Sequence, residues 1–335
     1  MKYTSFGKTG LRVSQVALGT GNFGTGWGHG ADPDTSKAVF NAYAEAGGNF
    51  IDTADVYQFG QSEELLGTLL EGRREDFVLA TKFTNGAIPN ANRLVTGNSR
   101  KALVASVEAS LKRLRTDRID IYWAHHPDGA TPAEEIVRGF EGLARAGKIL
   151  YAGLSNFSAW RLARAVTLAE LTRAVPIAAA QFEHSLVHRE PEADLFPASH
   201  ALGLCIVTWS PLGGGMLTGK YRKGEKGRAE GFGGRVFQPE NSAQRTQILD
   251  TVLAIAGELG ASAGQVAIAW AGTHGAVPII GPRSLAQLTD NLGALSLELS
   301  AEQISRLDTV SSLVPSAPAR TPVPWAVGNA ARIIA

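Results

Sequence analysis

Four ionisable or proton-carrying side chains in the first 125 residues stand where they could act together. Asp52 closes the apolar run Phe50–Asp52, Lys82 follows the run Phe77–Thr81, and His125 sits just past the run Ile119–Trp123. Tyr57 follows Asp52 by five residues. Proton donation to a carbonyl oxygen suits such a set. A free tyrosine titrates near 10 and is a poor acid at neutral pH unless its phenolate is stabilised, which a neighbouring ammonium does. Asp52 would keep Lys82 charged, and His125 would orient the carbonyl. No nucleophile stands out, because Cys205 lies inside an apolar run and no serine has a convincing histidine partner. No group of residues has zinc-ligand spacing, so no metal is expected.

These side chains converge only if the runs that carry them are neighbouring parallel strands. Eight short apolar runs occur: Val16–Leu18, Phe50–Asp52, Phe77–Thr81, Ile119–Trp123, Tyr151–Leu154, Ala178–Phe182, Cys205–Trp209 and Val277–Ile280. Between them lie segments of helical period, such as Thr35–Ala46, Ser99–Leu114, Pro132–Ala146, Trp160–Leu171, Ser242–Leu259 and Ser262–Trp270. Ser62 reads as the capping hydroxyl of a further helix, and Pro132 as the first helical position of its own. Strict alternation of strand and helix predicts parallel strands with helical crossovers, and eight units predict a closed (β/α)8 TIM barrel. Lys2–Phe6 and Leu11–Val13 around Gly7-Lys8-Thr9-Gly10 predict an N-terminal β-hairpin. An extra helix and a proline-rich tail from Pro315 close the chain. In such a barrel the C-terminal strand ends form one face and build the site there.

The chain has 335 residues, with 32 Lys and Arg against 31 Asp and Glu. The net charge of +1 argues against a nucleic-acid or anionic-membrane partner held by bulk charge. No apolar run reaches the ~20 residues of a membrane span. The N-terminus lacks a signal-peptide core, and the single Cys205 gives no internal disulfide. These features predict a soluble, cytoplasmic, single-domain protein spanning 1–335. The segment from Pro211 to Asn241 is rich in Gly, Lys and Arg with little periodicity. It follows the seventh run, and loops of that length are commonly functional.

The motifs resemble those of the aldo-keto reductases. They are Gly48-Asn49-Phe50-Ile51-Asp52-Thr53-Ala54-Asp55-Val56-Tyr57, Leu79-Ala80-Thr81-Lys82, Asp120-Ile121-Tyr122-Trp123-Ala124-His125-His126-Pro127-Asp128, Gly153-Leu154-Ser155-Asn156-Phe157, Trp209-Ser210-Pro211-Leu212 and Ile280-Gly281-Pro282-Arg283. They run in family order over nearly the whole chain, and the pattern looks closer to the bacterial and potassium-channel-β-like branches than to aldose reductase. The resemblance implies NADP(H), preferred over NAD(H), bound without a Rossmann fold. It implies Tyr57 as general acid, supported by Asp52, Lys82 and His125, with His126 as the family's variable position. Gly19, Thr20, Asp52, Ser155, Asn156, Gln181 and Trp209 fall at the nicotinamide end of the cofactor site, Trp209 in place of the stacking aromatic. Ser210, Pro211, Leu212, Gly214, Leu217 and Lys220 fall in the loop that folds over the pyrophosphate, which is expected to order when cofactor binds. Gly281, Arg283, Gln287 and Asn291 surround a helix start suited to the 2′-phosphate, where free N–H groups and a guanidinium meet an anion. The substrate, a small-molecule carbonyl or alcohol, is expected against Phe23, Trp27, Tyr57, Phe59, Trp123, His125 and His126. The resemblance leaves the physiological substrate, the direction of reaction and the choice between monomer and homo-oligomer open. It also leaves a second function open: a cofactor-sensing subunit with little turnover, as in the channel-β branch.

Overall fold

The structure is a computed structural model and describes residues 1–223 and 237–313. The loop residues 224–236 and the tail expected from Pro315 lie outside the described residues. A two-stranded antiparallel hairpin, β1 (Tyr3–Ser5) and β2 (Arg12–Ser14), precedes the barrel. Eight parallel strands then close on themselves: β3 (Ala17–Gly19), β4 (Phe50–Asp52), β5 (Val78–Phe83), β6 (Ile119–Ala124), β7 (Ile149–Ser155), β8 (Ile177–Glu183), β9 (Cys205–Trp209) and β10 (Val277–Ile280), with β10 paired to both β9 and β3. The (β/α)8 expectation is met. Closure leaves no strand edge exposed, as the many two-sidedly buried strands require.

The helices are α1 (Pro33–Glu45), α2 (Gln61–Leu69), α3 (Arg100–Leu114), α4 (Ala133–Arg145), α5 (Ala159–Thr172), α6 (Leu195–Leu202), α7 (Ala243–Leu259), α8 (Ala263–Gly272), α9 (Leu285–Gly293) and α10 (Ala301–Val310). Side-chain caps set several starts. Ser99, Ser242, Ser262, Ser284 and Ser300 each accept a bond from a first-turn amide, with full capping boxes at Ser262 and Ser300. Two expected starts differ. Pro132 is the N-cap residue of α4, one position before the first helical residue. Ser62 caps nothing: α2 begins at Gln61 behind a left-handed Gly60, and the Ser62 hydroxyl instead joins Thr20 and Thr53 at the strand ends.

Two apolar layers hold the barrel. Inside it, Phe6 of the hairpin turn sets its ring edge-on to Phe50 at 5.9 Å, in one cluster with Ile121, Trp123, Val207 and Ile279, so the hairpin adds to the core of the barrel. Outside, a continuous layer runs between strands and helices, from Val39 and Phe40 through Leu103, Phe140 and Leu162. A third cluster joins α7, α8 and α10 around Trp270. Among the described residues, no single helix is long and apolar enough to cross a membrane.

Candidate active site

The strand register decides which side chains share the barrel mouth. Asp52 pairs with Gly19 on one side and Ala80 on the other, and Lys82 pairs with Trp123. Lys82 lies within β5 rather than after it, because the strand runs on to Phe83. Its ammonium is fully buried and ion-paired to Asp52 Oδ1. Nζ also donates to the Thr53 carbonyl at 2.8 Å and to the Tyr57 hydroxyl at 3.3 Å. All three donors of the ammonium are thereby committed. Asp52 Oδ2 in turn accepts from Gln181 Nε2 at 2.9 Å, tying β8 to β4 across the barrel.

The electrostatics follow from burial. Desolvation pushes the Asp52 carboxyl above its ordinary value, and Lys82 and Gln181 pull it back only in part. Burial works against the Lys82 charge, but Asp52 and Tyr57 outweigh it and hold the ammonium above its ordinary pKa, so the lysine stays a cation. His125 is pushed well below 6.5, first by burial and then by Lys82 and His126, so it stands as a neutral imidazole. His126 is lowered too, first by burial and then by Lys82.

Tyr57 opens a short helical turn, Tyr57–Gly60, in which Gln58 and Phe59 take left-handed backbone conformations (φ 52° and 56°). That turn aims Tyr57 over the mouth, its ring 6.0 Å from His125 and edge-on to it. It also turns two amides towards the first long loop. Gln58 accepts from the Trp27 amide and donates to the Gly21 carbonyl, while Gln61 accepts from the Thr25 and Gly26 amides. Trp27 is thereby set edge-on to Tyr57 at 6.0 Å and to Phe59 at 6.4 Å. His126 is exposed and stacks on His125 with ring centroids 4.4 Å apart. Trp27, Tyr57, Phe59, His125 and His126 form one aromatic rim.

Two residues expected on that rim are not there. Phe23 is fully buried in the layer between barrel and helices, in one cluster with Val39 and Phe40, and the Phe23–Ala31 bridge holds its end of the loop. Trp123 is fully buried inside the barrel, its ring against Gly153 where any Cβ would collide, and its Nε1 has no partner among the described residues.

The residues expected to hold a cofactor lie chiefly at the ends of β3, β7 and β9 and in the segments that follow β9 and β10. Gly19 ends β3, and Thr20 donates through both its amide and its hydroxyl to the Asp52 carbonyl. Ser155 ends β7. Asn156 follows in a left-handed conformation (φ 62°), with Nδ2 donating to the His125 carbonyl at 2.9 Å and to Ser155 Oγ at 3.0 Å. Asn156 Oδ1 accepts from Trp209 Nε1 at 3.1 Å, so the indole at the end of β9 is held by a hydrogen bond. Ser210 also has positive φ, Pro211 is buried, and Gly213–Thr218 forms a helical turn with left-handed Gly214 and Gly215. Leu212 is half-buried, and Lys220 follows that turn in a second one, Lys220–Lys223. The Leu217 side chain is fully buried under α7 and α8, so only its backbone could meet a ligand. Gly281 is exposed and its carbonyl accepts from Asn22. Arg283 stands half-buried before α9; its amide donates to Gln287 Oε1, and Asn291 is buried on the same helix.

A family profile described as Aldo/keto reductase family matches residues 15–312. The chain belongs to the aldo/keto reductase family. Among its curated relatives, a Bacillus subtilis protein named "Uncharacterized oxidoreductase YrpG" is 36% identical over 92% of this chain and 96% of its own. A "Probable voltage-gated potassium channel subunit beta" of Oryza sativa subsp. japonica is 36% identical over 96% and 99%. "Norsolorinic acid reductase" of Aspergillus flavus is 34% identical over 89% and 78%. This aldo/keto reductase is thus similar both to oxidoreductases and to a channel subunit, in keeping with the potassium-channel-β-like branch.

Sequence reasoning passed over four contributors to this site. The Thr53 carbonyl and the Asp52–Gln181 bond depend on register across the closed barrel. The amides of Gln58 and Gln61 depend on the left-handed turn between them. A run of polar residues gives no signal for either.

Proposed function

We propose that this aldo/keto reductase reduces aldehydes or ketones to alcohols with NADPH, taking the proton from Tyr57. The observation that carries this reading is the Lys82 ammonium, which bridges buried Asp52 and the Tyr57 hydroxyl at the barrel mouth. Tyr57 is half-buried there and faces His125, so a carbonyl oxygen between them would accept from both. Lys82 stabilises the phenolate left after transfer, and Asp52 holds the lysine in place and charged. His125, neutral in its buried setting, donates a hydrogen bond rather than a proton.

The residues present fit a nicotinamide dinucleotide. Ser155, Asn156 and Gln181 offer polar atoms for a carboxamide, and Trp209 offers a ring face. The left-handed glycines 213–215 keep side chains off the approach. The start of α9 with Arg283 suits a 2′-phosphate, which supports NADP(H) over NAD(H). When bound, the cofactor supplies the hydride. Trp27, Phe59 and His126 support a rim that accepts apolar or cyclic carbonyls.

The test is NADPH consumption against a panel of aldehydes, ketones, quinones and sugars, with wild type and Tyr57→Phe side by side. Turnover by wild type, lost in a variant that still binds NADPH, is the expected result. A second reading, a cofactor-sensing subunit with little turnover, is favoured by the 36% identity to the rice channel-β protein. Tight NADP+ retention without turnover of any carbonyl would support it.

A further inference from the structure

His125 can donate to a carbonyl oxygen only in one of its two neutral forms, and something must choose between them. A neutral imidazole carries one proton, and the hydrogen bond at one ring nitrogen decides which nitrogen holds it. In this protein Nδ1 faces Asn85 Nδ2 at 3.2 Å, while Nε2 has no hydrogen-bond partner among the described residues. Asn85 lies in the loop after β5, three residues past Lys82, outside the group formed by Asp52, Tyr57, Lys82 and His125.

Three features hold Asn85 in that place. Thr84 immediately before it has φ 112°, a conformation that a β-branched residue adopts only under constraint. The Thr84 hydroxyl is locked, accepting from the His125 amide at 3.2 Å and donating to Asn98 Oδ1 at 2.7 Å. Immediately after Asn85, the Gly86 amide donates at 3.1 Å to Oδ2 of the buried Asp55, two residues before Tyr57. A strained residue on one side and a buried carboxyl group on the other are more than an exposed surface asparagine needs. Strain of this kind persists where the surroundings over-determine it, and an observed outlier points towards function.

We propose that Asn85 is a positioning residue that fixes His125 as the Nε2–H form, so that the donor nitrogen faces the reacting carbonyl oxygen. The amide N–H of Asn85 donates to Nδ1, which must then be unprotonated; the single ring proton sits on Nε2. Asp55 couples the two loops, anchoring the backbone that carries Asn85 beside the turn that carries Tyr57. This rests on the carbonyl-reduction reading above, but its spectroscopic test does not.

The experiment uses the full chain labelled with 15N-histidine, comparing wild type, Asn85→Leu and Asn85→Asp, with the His125 signal assigned from His125→Gln. Two-bond proton–nitrogen correlations distinguish the two neutral forms. The expected wild-type pattern has the proton on Nε2. Asn85→Asp replaces a donor by an acceptor, so the proton moves to Nδ1 and the acid limb of the kcat profile shifts to higher pH. Asn85→Leu gives a mixture. In Asn85→Asp kcat falls about tenfold or more, since a wrongly placed imidazole proton removes a bond made in the transition state, and in Asn85→Leu it falls only about twofold, as a mixture of the two forms requires; KM for NADPH changes little in either. Asn85 is exposed, so both variants should keep the wild-type circular dichroism. Wild-type His125 protonated on Nδ1, or a form and a kcat unchanged in both variants, would overturn the proposal. If no carbonyl is turned over at all, the reduction reading fails while the spectrum still decides the tautomer.

Discussion

Lys82 Nζ lies 3.3 Å from the Tyr57 hydroxyl, and the same nitrogen sits over the Tyr57 ring at 4.9 Å from its centroid. The cation therefore meets both the phenol oxygen and the π-face. Removing the hydroxyl should abolish proton donation without disturbing the pair beneath it. Tyr57→Phe is expected to lower kcat by about a hundredfold or more, the usual scale for a positioned acid, with NADPH affinity within about threefold of wild type. Stopped-flow turnover with a fluorescence titration of cofactor checks both halves.

Breaking the buried pair has a different signature. Asp52→Leu leaves the Lys82 ammonium without its counter-charge in a fully buried setting. Loss of one partner of a buried ion pair costs about 3–5 kcal/mol. The double variant Asp52→Leu/Lys82→Met, which removes both charges, should recover much of that loss while remaining inactive. Urea denaturation of the single and double variants measures the difference. A double variant no more stable than the single one would contradict the buried-pair account.

Asp55 gives a prediction with a defined pH window. Burial, then the nearby Glu63, raises its carboxyl to about 7 from 3.8. The folded protein therefore holds this proton in a range where the unfolded chain has released it, and stability falls as pH rises from about 4 to 7. Asp55→Asn removes that dependence while its Oδ1 can still accept from the Gly86 amide. The variant should gain stability relative to wild type as pH rises, on the order of 2 to 4 kcal/mol between pH 4 and pH 8. Melting temperatures of both proteins across that range provide the check.

His125 works in the opposite sense. Its folded pKa lies well below 6.5, so the unfolded chain binds the proton first as pH falls. Its contribution to stability is complete above about 6.5 and is lost as pH drops towards the folded value. His125→Gln, which cannot titrate, should flatten that acid limb and leave stability near pH 8 within about 1 kcal/mol.

Much of this architecture can be read from the order of residues, and the failures have physical causes. Eight apolar runs with helical periods between them dictate a barrel, and strand ends dictate where Asp52, Lys82 and His125 converge. Helix α6 escaped because Pro197 interrupts a short segment with no polar face. Phe23 and Trp123 were expected on the pocket wall because aromatics near a site and aromatics in a core look alike in sequence. Only the inward register of β6 and the Phe23–Ala31 bridge separate them. Asn85 is invisible for another reason: its place depends on a backbone conformation at Thr84 that threonine disfavours, so no local preference announces it.

Arg283 tests the choice of cofactor. It precedes α9, whose Ser284 cap satisfies the Gln287 amide and leaves other first-turn amides unpaired. A 2′-phosphate there would meet these amides and a guanidinium, and a charge-assisted bond to phosphate contributes about 1.5–3 kcal/mol. Arg283→Ala is therefore expected to weaken NADPH about ten- to a hundredfold, by that same energy, and to leave NADH nearly unchanged, since NADH lacks the group. The effect should shrink at high salt, because the contact is half-exposed and screened. Titrations with both cofactors at low and high ionic strength separate the outcomes. Equal losses for NADPH and NADH would mean that Arg283 supports the loop rather than reads the phosphate.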